Sequence, residues 1–285
     1  MVNNPRELLD GAEKLSSVSV VYERLNEAIL SQRATVGQMS SIIMQDAGLS
    51  ARLLRIVNSA YFGFPRIIDT VSRAVMVVGT QQVHDLTTAT SVVKLFRNIP
   101  ERFVSMDSFW KHSVACGLAA RVIAGMKRES NVERFFVASI LHDVGRLIMY
   151  DKIPDMMDEV FLAVERHPMP MFIAEQGIIG FDHAAVGGAL IEAWRLPSSL
   201  EEIVRYHHTP KMANRYRLEA SVVHVADVIA HSMQCGHSGE LMVPAVDEEA
   251  WNLVGLRPEF LPRIFDLVDR QLEGVLKMFH SDESP

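Results

Sequence analysis

The residues of this chain that could do chemistry are histidines and aspartates set in apolar segments. Seven of them are candidate metal ligands: His112, His142, Asp143, His183, His207, His208 and Asp227. Imidazole nitrogens and carboxylate oxygens bind divalent ions such as Fe, Mn, Zn, Ni and Co. Two aspartates and several histidines are enough for two ions bridged by a carboxylate, about 3.5–4 Å apart. The sequence therefore predicts a mononuclear or dinuclear metal site.

The strongest single signal is the pair His142–Asp143, inside the segment VERFFVASILHDVGRLIMY at residues 132–150. This segment has no wide polar stripe, so it predicts one helix that is buried on nearly every face. An ionised carboxylate in an apolar interior is costly unless it is paired or coordinates a metal. Adjacent residues on a helix diverge by about 100°, so the two side chains of a continuous helix would not face one ligand. Asp143 therefore needs a partner from elsewhere in the chain.

Each candidate also has an ordinary structural explanation. A single histidine on an apolar helix is usually a core residue, and this applies to His112 and to His183 taken alone. The pair His207–His208 precedes a proline-containing loop and could mark a helix C-terminus, where partly positive side chains are favourable. Asp227 could pair with an arginine instead of a metal, and the candidates are Arg146 and Arg205.

The segments that carry these residues are predicted to be helices, and the chain as a whole is predicted to be all-α. No alternating strands flank an Asn-Gly or Asp-Gly turn, so there is no hairpin signal. Three capping boxes mark helix starts, in which a side chain and the backbone satisfy each other's hydrogen bonds. They lie at Thr35–Gln38, Ser130–Glu133 and Ser198–Glu201.

The helices divide into two predicted lobes and an extension. Residues 1–100 carry short amphipathic helices and form an N-terminal lobe. A polar break, RNIPERFVSMD at 97–107, separates it from residues 101–235, which hold most of the histidines and the predicted metal site. Residues 236–285 are predicted to be a C-terminal helical extension that begins with a Gly/Ser hinge.

Composition is that of a soluble globular protein. The chain has 285 residues, of which 48% are hydrophobic and 22% charged, and its net charge is −7. This charge argues against direct binding of nucleic acid, and no apolar run reaches the roughly 18–20 residues of a membrane span. The start, MVNNPRELLD, does not have the pattern of a signal peptide. With only two cysteines, Cys116 and Cys235, we expect a cytoplasmic protein without a disulfide framework.

The order His, His-Asp, His, His-His, Asp resembles the HD superfamily of metal-dependent phosphohydrolases, and LHDVGRL is similar to its name-giving motif. The chain more closely resembles an HDOD protein, the HD-related output domain of bacterial signalling systems, over nearly its whole length. The blocks that carry this resemblance are DAGLSARLLRIVNSAYFG at 46–63, AVMVVGTQQVHDL at 74–86, FWKHSVACGLAA at 109–120, ILHDVGRL at 140–147, FDHAAVGGALIEAWRLP at 181–197 and IVRYHHTP at 203–210. The resemblance implies an all-α fold in two lobes and a regulatory role exerted through signalling proteins.

The seven candidate ligands all stand at ligand-like places when the chain is compared with the related HD-GYP phosphodiesterases. Three departures from that family concern substrate recognition more than metal binding. Arg146 stands where HD-GYP proteins carry a lysine, TPKMANRYR follows His207–His208 without a Gly-Tyr-Pro loop, and Ser108 stands where some members have an extra carboxylate ligand. In an enzyme, Arg146, with Lys111, would bind phosphate through charge-assisted hydrogen bonds.

Two functions follow from this resemblance. The first is a bacterial signalling output module with a metal site, acting through protein partners. The alternative is a metal-dependent phosphohydrolase or phosphodiesterase, in which a metal-activated hydroxide attacks phosphorus. Fe or Mn is preferred over Zn or Ni, because more than four candidate ligands suit six-coordination better than a closed tetrahedron.

Overall fold

The computed structural model describes residues 4–9, 20–31, 34–59, 61–96, 101–240 and 242–280. All regular elements among these residues are helices, so the predicted all-α class is confirmed. The chain divides into two compact units. Lobe A comprises Ser17–Phe96 with Asp269–Pro285, and lobe B comprises Met1–Ser16 with Arg97–Val268.

Lobe A is built from short helices whose apolar faces share one core. Before position 97 its described α-helices are α1 (Val20–Leu30), α2 (Val36–Ile43), α3 (Ala47–Val57), α4 (Val71–Val78) and α5 (Thr80–Leu95). The side chains that fill the core include Leu25, Met39, Ile43, Leu53, Val57, Ala74 and Val75. Full burial of side chains as large as leucine stabilises the fold by about 1.5–3 kcal/mol each, before the loss of conformational entropy is subtracted.

Of the capping boxes predicted in the first half of the chain, one has the predicted N-cap residue and one is wrong. The side chain of Thr35 accepts a hydrogen bond from the backbone N–H of Gln38 (3.2 Å) and caps α2. The box predicted at Ser130–Glu133 is displaced by one residue. There Asn131 is the cap and accepts from the N–H of Arg134 (3.2 Å), because asparagine is as good an N-cap as serine.

Lobe B contains the helices that carry the histidines. Its described α-helices are α6 (Met106–Met126), α7 (Val132–Leu141), α8 (Val144–Lys152), α9 (Pro154–Arg166), α10 (Met171–Ile179), α11 (His183–Ala193), α12 (Ser198–Tyr206), α13 (Arg217–Ser232) and α14 (Glu248–Val254), with 3₁₀ turns at Pro5–Leu9, Pro210–Met212 and Pro258–Phe260. Helix α6 packs against α7 and α13, and α11 packs against α8 and α12. The third predicted capping box is wrong, because α12 begins at Ser198 directly after Pro197 and no side chain caps it.

The prediction of one continuous helix over residues 132–150 is also wrong. Helix α7 ends at Leu141, α8 begins at Val144, and His142–Asp143 forms the junction between them. Asp143 leaves the helical region, with φ −96° and ψ 3°, and its carbonyl accepts from the N–H of Arg146 (2.9 Å). The break removes the 100° divergence of adjacent helical residues, so both side chains can face the same point.

The last helix, α15 (Leu261–His280), is amphipathic. Its buried residues recur every three or four positions, as expected for one stripe of a helix: Ile264, Val268, Leu272 and Val275. Its residues up to Val268 belong to lobe B, and those from Asp269 belong to lobe A. In the described part of the chain, no helix combines the length and the apolar character that crossing a membrane requires.

Candidate metal centre

The centre of lobe B is the junction pair His142–Asp143, and both side chains are buried. Nδ1 of His142 donates to the carbonyl oxygen of Ser139 (2.5 Å), which leaves its Nε2 free of a proton in the neutral ring. That Nε2 lies 3.1 Å from Oδ2 of Asp143. The junction therefore directs an imidazole nitrogen and a carboxylate to the same side.

Three histidines from α11 and the end of α12 meet the other oxygen of Asp143. Nε2 of His183 lies 2.9 Å from Asp143 Oδ1 and 2.9 Å from Nε2 of His208. Nε2 of His207 lies 3.9 Å from the same carboxylate oxygen. Asp143, His183, His207 and His208 thus offer one donor atom each within 4.8 Å of one another.

Helices α6 and α13 supply a second group. Nε2 of His112 lies 3.1 Å from Oδ1 of Asp227 and 3.7 Å from Oδ2 of Asp143. Nε2 of His142 lies 3.5 Å from the same Asp227 oxygen, so the two groups adjoin. The structure brings all seven predicted residues together, although each comes from a segment distant in the sequence. Their role as metal ligands stays a prediction.

Outer contacts orient the imidazoles. Besides His142, Nδ1 of His207 donates to the carbonyl oxygen of Val204 (2.7 Å). Nδ1 of His183 lies 2.6 Å from Oε2 of the buried Glu175. The ring of His208 stacks on Phe172, with 4.3 Å between ring centroids. The contacts at Nδ1 of His142, His183 and His207 are typical of metal-binding histidines, because they fix the tautomer and make Nε2 a better ligand.

The donor atoms of the cluster fit a divalent cation. Several of these atoms are buried and make no hydrogen bond of acceptable geometry, although they lie close to one another. They are Nε2 of His112, His142, His207 and His231, and Oδ1 of Asp143 and Asp227. A buried polar atom without a partner costs about 1–3 kcal/mol, so six of them in one place need a common explanation. A cation that accepts several nitrogen and oxygen ligands is such an explanation.

The two aspartates are carboxylates at neutral pH. Burial opposes ionisation of Asp143, but the charges of Arg146 and His142 outweigh burial and hold the pKa of that carboxyl well below its ordinary range. Asp227 behaves in the same way, because the charge of His231 and the close approach of His112 outweigh burial and lower its pKa.

The histidines divide into two electrostatic classes. Burial lowers the pKa of His142, but the charge of Asp143 and the close approach of both aspartates to its Nε2 raise it to about 10. Burial and the Arg146 charge likewise lower the pKa of His183, but Glu175 and Asp143 raise it to about 9. Burial brings the pKa of His112 down to about 4, against the effect of Asp227. Burial and neighbouring histidines lower the pKa values of His207 and His208 as well.

Arg146, the residue predicted to bind phosphate, is buried beside the cluster. Its Nε lies 3.8 Å from Oδ1 of Asp143 and 3.7 Å from Oε1 of Glu175. Its Nη1 donates to the hydroxyl of Ser238 (2.8 Å). Burial lowers the pKa of the guanidinium, but these carboxylates more than compensate and raise it. A contact between Arg146 and a substrate phosphate stays a prediction.

The alternative pairing of Asp227 with an arginine is not what the structure shows. Arg146 contacts Asp143 and Glu175, and Arg205 contacts Glu201 (2.5 Å) and Glu192 (3.8 Å). Among the described residues, the basic side chains within 4 Å of the Asp227 carboxylate are imidazoles, those of His112, His142 and His231.

Three residues of the centre were not among the predicted ligands. His231 and Cys116 each stand four residues after a predicted ligand on the same helix, and a four-residue spacing places side chains on one face. Cys116 offers its sulfur to a group with His142 and Asp227. The spacing was therefore a usable signal for both. Glu175 is on α10, eight residues before His183, and no local pattern connects the two.

The fold and this centre define an all-helical protein with a buried histidine–aspartate cluster. The sequence model of the HDOD domain matches residues 15–210, which is more than half of the chain. The chain belongs to the HDOD family.

Solved structures share this fold over nearly the whole chain. An HDOD domain protein of unknown function from Geobacter sulfurreducens has a TM-score of 0.76 at 21% identity, covering 97% of this chain and 96% of that chain. A proposed phosphohydrolase from Shewanella amazonensis SB2B has a TM-score of 0.72 at 22% identity, covering 95% and 96%. At these identities the similarity shows the fold alone.

One sequence relative also matches this chain, but it has no stated function. An uncharacterized protein of Treponema pallidum (strain Nichols) is 22% identical over 222 residues, which are 76% of this chain and 43% of that protein. The chain therefore spans less than half of the length of this relative.

Proposed function

We propose that this protein is a signalling output module of the HDOD family whose histidine–aspartate cluster binds divalent metal, and which acts by contact with protein partners. The observation that carries the proposal is the convergence of buried nitrogen and oxygen atoms that make no hydrogen bond. Asp143, His183, His207 and His208 would hold an ion, with His112, His142 and Asp227 beside them.

The cluster is suited to regulation because its ligands come from distant segments. They lie on α6, the α7–α8 junction, the start of α11, the end of α12 and α13. An ion that binds the folded lobe and not the unfolded chain stabilises the fold and ties these segments together. Metal binding would then change the conformational stability of lobe B, including the surface that contacts a partner.

Arg146 favours a module over an enzyme. Arg146 is 1% exposed, and its guanidinium contacts Asp143, Glu175 and Ser238. To bind a phosphate it would have to leave two buried carboxylates, and breaking a buried pair is strongly unfavourable. The chain also lacks a Gly-Tyr-Pro loop after His207–His208 and continues there into the 3₁₀ turn Pro210–Met212.

A metal-dependent phosphohydrolase is the second candidate, and the complete ligand set favours it. The names of two similar structures, both from Shewanella amazonensis SB2B, propose a phosphohydrolase for those proteins. A bound divalent ion supplies a water of lowered pKa and polarises a phosphoryl oxygen. In this role His208, which is partly exposed, would border the entry of substrate.

We prefer iron or manganese as the metal, ahead of zinc or nickel. The donor set is made of imidazoles and carboxylates, and it offers more atoms than a tetrahedral zinc site uses. Six-coordinate ions with nitrogen and oxygen ligands use such a set more fully.

The proposal is tested with protein purified without oxygen. Elemental analysis should find divalent metal in the wild type and a clear loss in His142→Ala and Asp143→Ala, while His167→Ala, a histidine on the exposed end of α9, should bind as the wild type does. Wild type without bound metal, after supply of Fe²⁺ and Mn²⁺, contradicts the metal centre.

Activity and partner capture separate the two candidates. If the protein is a signalling module, we expect no hydrolysis of cyclic dinucleotides, nucleotides or a generic phosphodiester with either metal. We also expect that the wild type is cross-linked to partner proteins in native cells, and that the Asp143→Ala variant is cross-linked to them less efficiently. Hydrolysis that both variants abolish supports the phosphohydrolase instead.

A further inference from the structure

The side chain of His224, on α13, bridges two backbone groups that lie far apart in the sequence. Its Nδ1 donates to the carbonyl oxygen of His207 (2.9 Å), and its Nε2 accepts from the backbone N–H of Asp247 (2.8 Å). The residue is buried. Since a carbonyl only accepts and a backbone N–H only donates, both contacts require the neutral ring with its proton on Nδ1. Both ring nitrogens are therefore occupied, and His224 is not a metal ligand.

One end of this bridge is a residue of the cluster. His207 is the C-cap of α12, and its Nε2 lies 3.9 Å from Oδ1 of Asp143. His224 also stands three residues before Asp227 on α13, and side chains three residues apart lie on one face of a helix. The ring of His224 therefore contacts the backbone of one proposed ligand and shares a helix face with another.

The other end of the bridge is the start of α14. Asp247 is the N-cap of this helix of 7 residues, and its side chain accepts from the backbone N–H of Ala250 (2.8 Å). The backbone N–H of Asp247 has no partner within the helix, and His224 supplies one. At the far end of α14, Nζ of Lys127 donates to the carbonyl oxygen of Val254 (2.8 Å). Because so short a helix is not stable in isolation, its order depends on such outside contacts.

We infer that His224 couples metal occupancy of the cluster to the order of α14. The inference rests on the proposed function, because it requires that His207 holds an ion. An ion at Nε2 of His207 fixes this residue, and its carbonyl oxygen then fixes the ring that accepts from Asp247. Without the ion, His207 is less constrained, and the start of α14 opens more often. His224 is thus a positioning residue that connects the cluster to a helix outside it.

Two substitutions cut the bridge at opposite ends. In His224→Asn the amide N–H lies near the position of Nδ1 and still donates to His207, but the side chain is too short to reach Asp247. In His224→Gln the amide oxygen lies near the position of Nε2 and still accepts from Asp247, but the hydrogen bond to His207 is lost. Coupling through the ring needs both hydrogen bonds, so both variants should lose it. If His224 only stabilises α14, His224→Gln should behave as the wild type does.

Lys127→Met is the matched control. It removes a hydrogen bond of the same length from the opposite end of α14. Lys127 is the C-cap of α6 and lies about 22 Å along that helix from His112. This variant should exchange the backbone protons of α14 faster than the wild type, both with and without metal. The ratio between the two states should stay that of the wild type.

The experiment is hydrogen–deuterium exchange of each protein, metal-free and with saturating Mn²⁺, with peptides resolved by mass spectrometry. In the wild type, Mn²⁺ should slow exchange in peptides over residues 247–254 by about 2–10-fold, the effect of about one hydrogen bond. Both His224 variants should bind Mn²⁺ and protect peptides of α11 and α12, but not those of residues 247–254. Elemental analysis measures the bound Mn²⁺, and thermal unfolding of each metal-free variant checks that it is folded.

The outcomes separate this inference from the proposed function. Protection of residues 247–254 that both His224 variants lose, and that Lys127→Met keeps, supports the coupling. Protection that either His224 variant retains overturns it, and so does loss of Mn²⁺ binding by both, which would assign His224 to the site itself. Mn²⁺ binding by the wild type without protection of residues 247–254 overturns the inference and leaves the proposed function standing. No Mn²⁺ binding by the wild type overturns both.

Discussion

Nδ1 of His183 lies 2.6 Å from Oε2 of Glu175, and neither side chain is exposed. The same oxygen accepts the backbone N–H of His183 (2.8 Å), while Oε1 lies 3.7 Å from Nε of Arg146. Burial raises the pKa of Glu175, but the charges of His183 and Arg146 outweigh it and lower the pKa overall. Glu175 is therefore a buried carboxylate that orients His183 with Nε2 towards Asp143.

Glu175→Gln is expected to weaken metal binding by about 10–100-fold, the usual effect of removing an outer-sphere partner of a histidine ligand. The amide has nearly the shape of the carboxylate but lacks its charge, so it makes Nε2 of His183 a poorer ligand. Titration with Mn²⁺ at neutral pH measures the change.

Glu165→Gln, on the exposed side of α9, is the matched control and should bind Mn²⁺ with the affinity of the wild type. Equal affinities for Glu175→Gln and wild type would show that the 2.6 Å contact does not tune the ligand.

The helical class and the seven clustered residues could be predicted because the chain carries long apolar segments and a recognisable order of histidines and aspartates. The junction at His142–Asp143 could not. Residues 132–150 are apolar throughout, and apolar periodicity does not distinguish one buried helix from two that meet at a turn. The contacts that Asp143 makes at the turn with His112, His183 and His207 come from distant segments, so the local sequence does not indicate them.

The position of Glu175 beside His183 could not be predicted from the sequence either. Its role depends on how α10 lies against the start of α11, and the seven intervening residues carry no pattern that connects it to His183. His231 differs, because its four-residue spacing from Asp227 is visible in the sequence.

Arg146→Met is expected to destabilise the metal-free protein by about 3–5 kcal/mol, the cost of removing one partner from a buried ion pair. The substitution keeps an unbranched side chain but leaves Asp143 and Glu175 without the guanidinium. Urea unfolding, monitored by circular dichroism, measures the loss.

Arg205→Met provides the comparison. Arg205 pairs with Glu201 on the same helix and both side chains are about a quarter exposed, so its loss should cost less than about 1 kcal/mol. Similar values for the two variants would mean that the contacts of Arg146 are no stronger than a surface ion pair.

Metal binding is expected to release protons. In the metal-free cluster the pKa of His142 is raised to about 10 and that of His183 to about 9, so both rings are protonated at neutral pH. A metal ion binds the unprotonated ring and must displace these protons. The apparent affinity should therefore rise with pH from about 7 and level off near the higher of the two pKa values.

Calorimetric titration at one pH in two buffers of different ionisation enthalpy measures this proton release. The observed heats should differ in proportion to the buffer enthalpies, and Mn²⁺ affinity should increase from neutral to alkaline pH. Identical heats in both buffers would mean that the metal-free rings are already unprotonated.

Gly145→Ala is expected to destabilise the protein by about 3 kcal/mol, the upper end of the usual cost of overpacking, and to weaken metal binding with it. A Cβ at Gly145 would lie 2.0 Å from the carbonyl oxygen of His183 and 2.6 Å from the backbone nitrogen of Gly187. Because both obstacles are backbone, α8 and α11 must separate, which moves His183 away from Asp143. Gly177→Ala, in α10 with no atom within 4 Å of the new methyl group, should instead stabilise by about 0.5–1 kcal/mol. Thermal unfolding and Mn²⁺ titration measure both effects, and an unchanged Gly145→Ala protein would refute the close approach of the two helices.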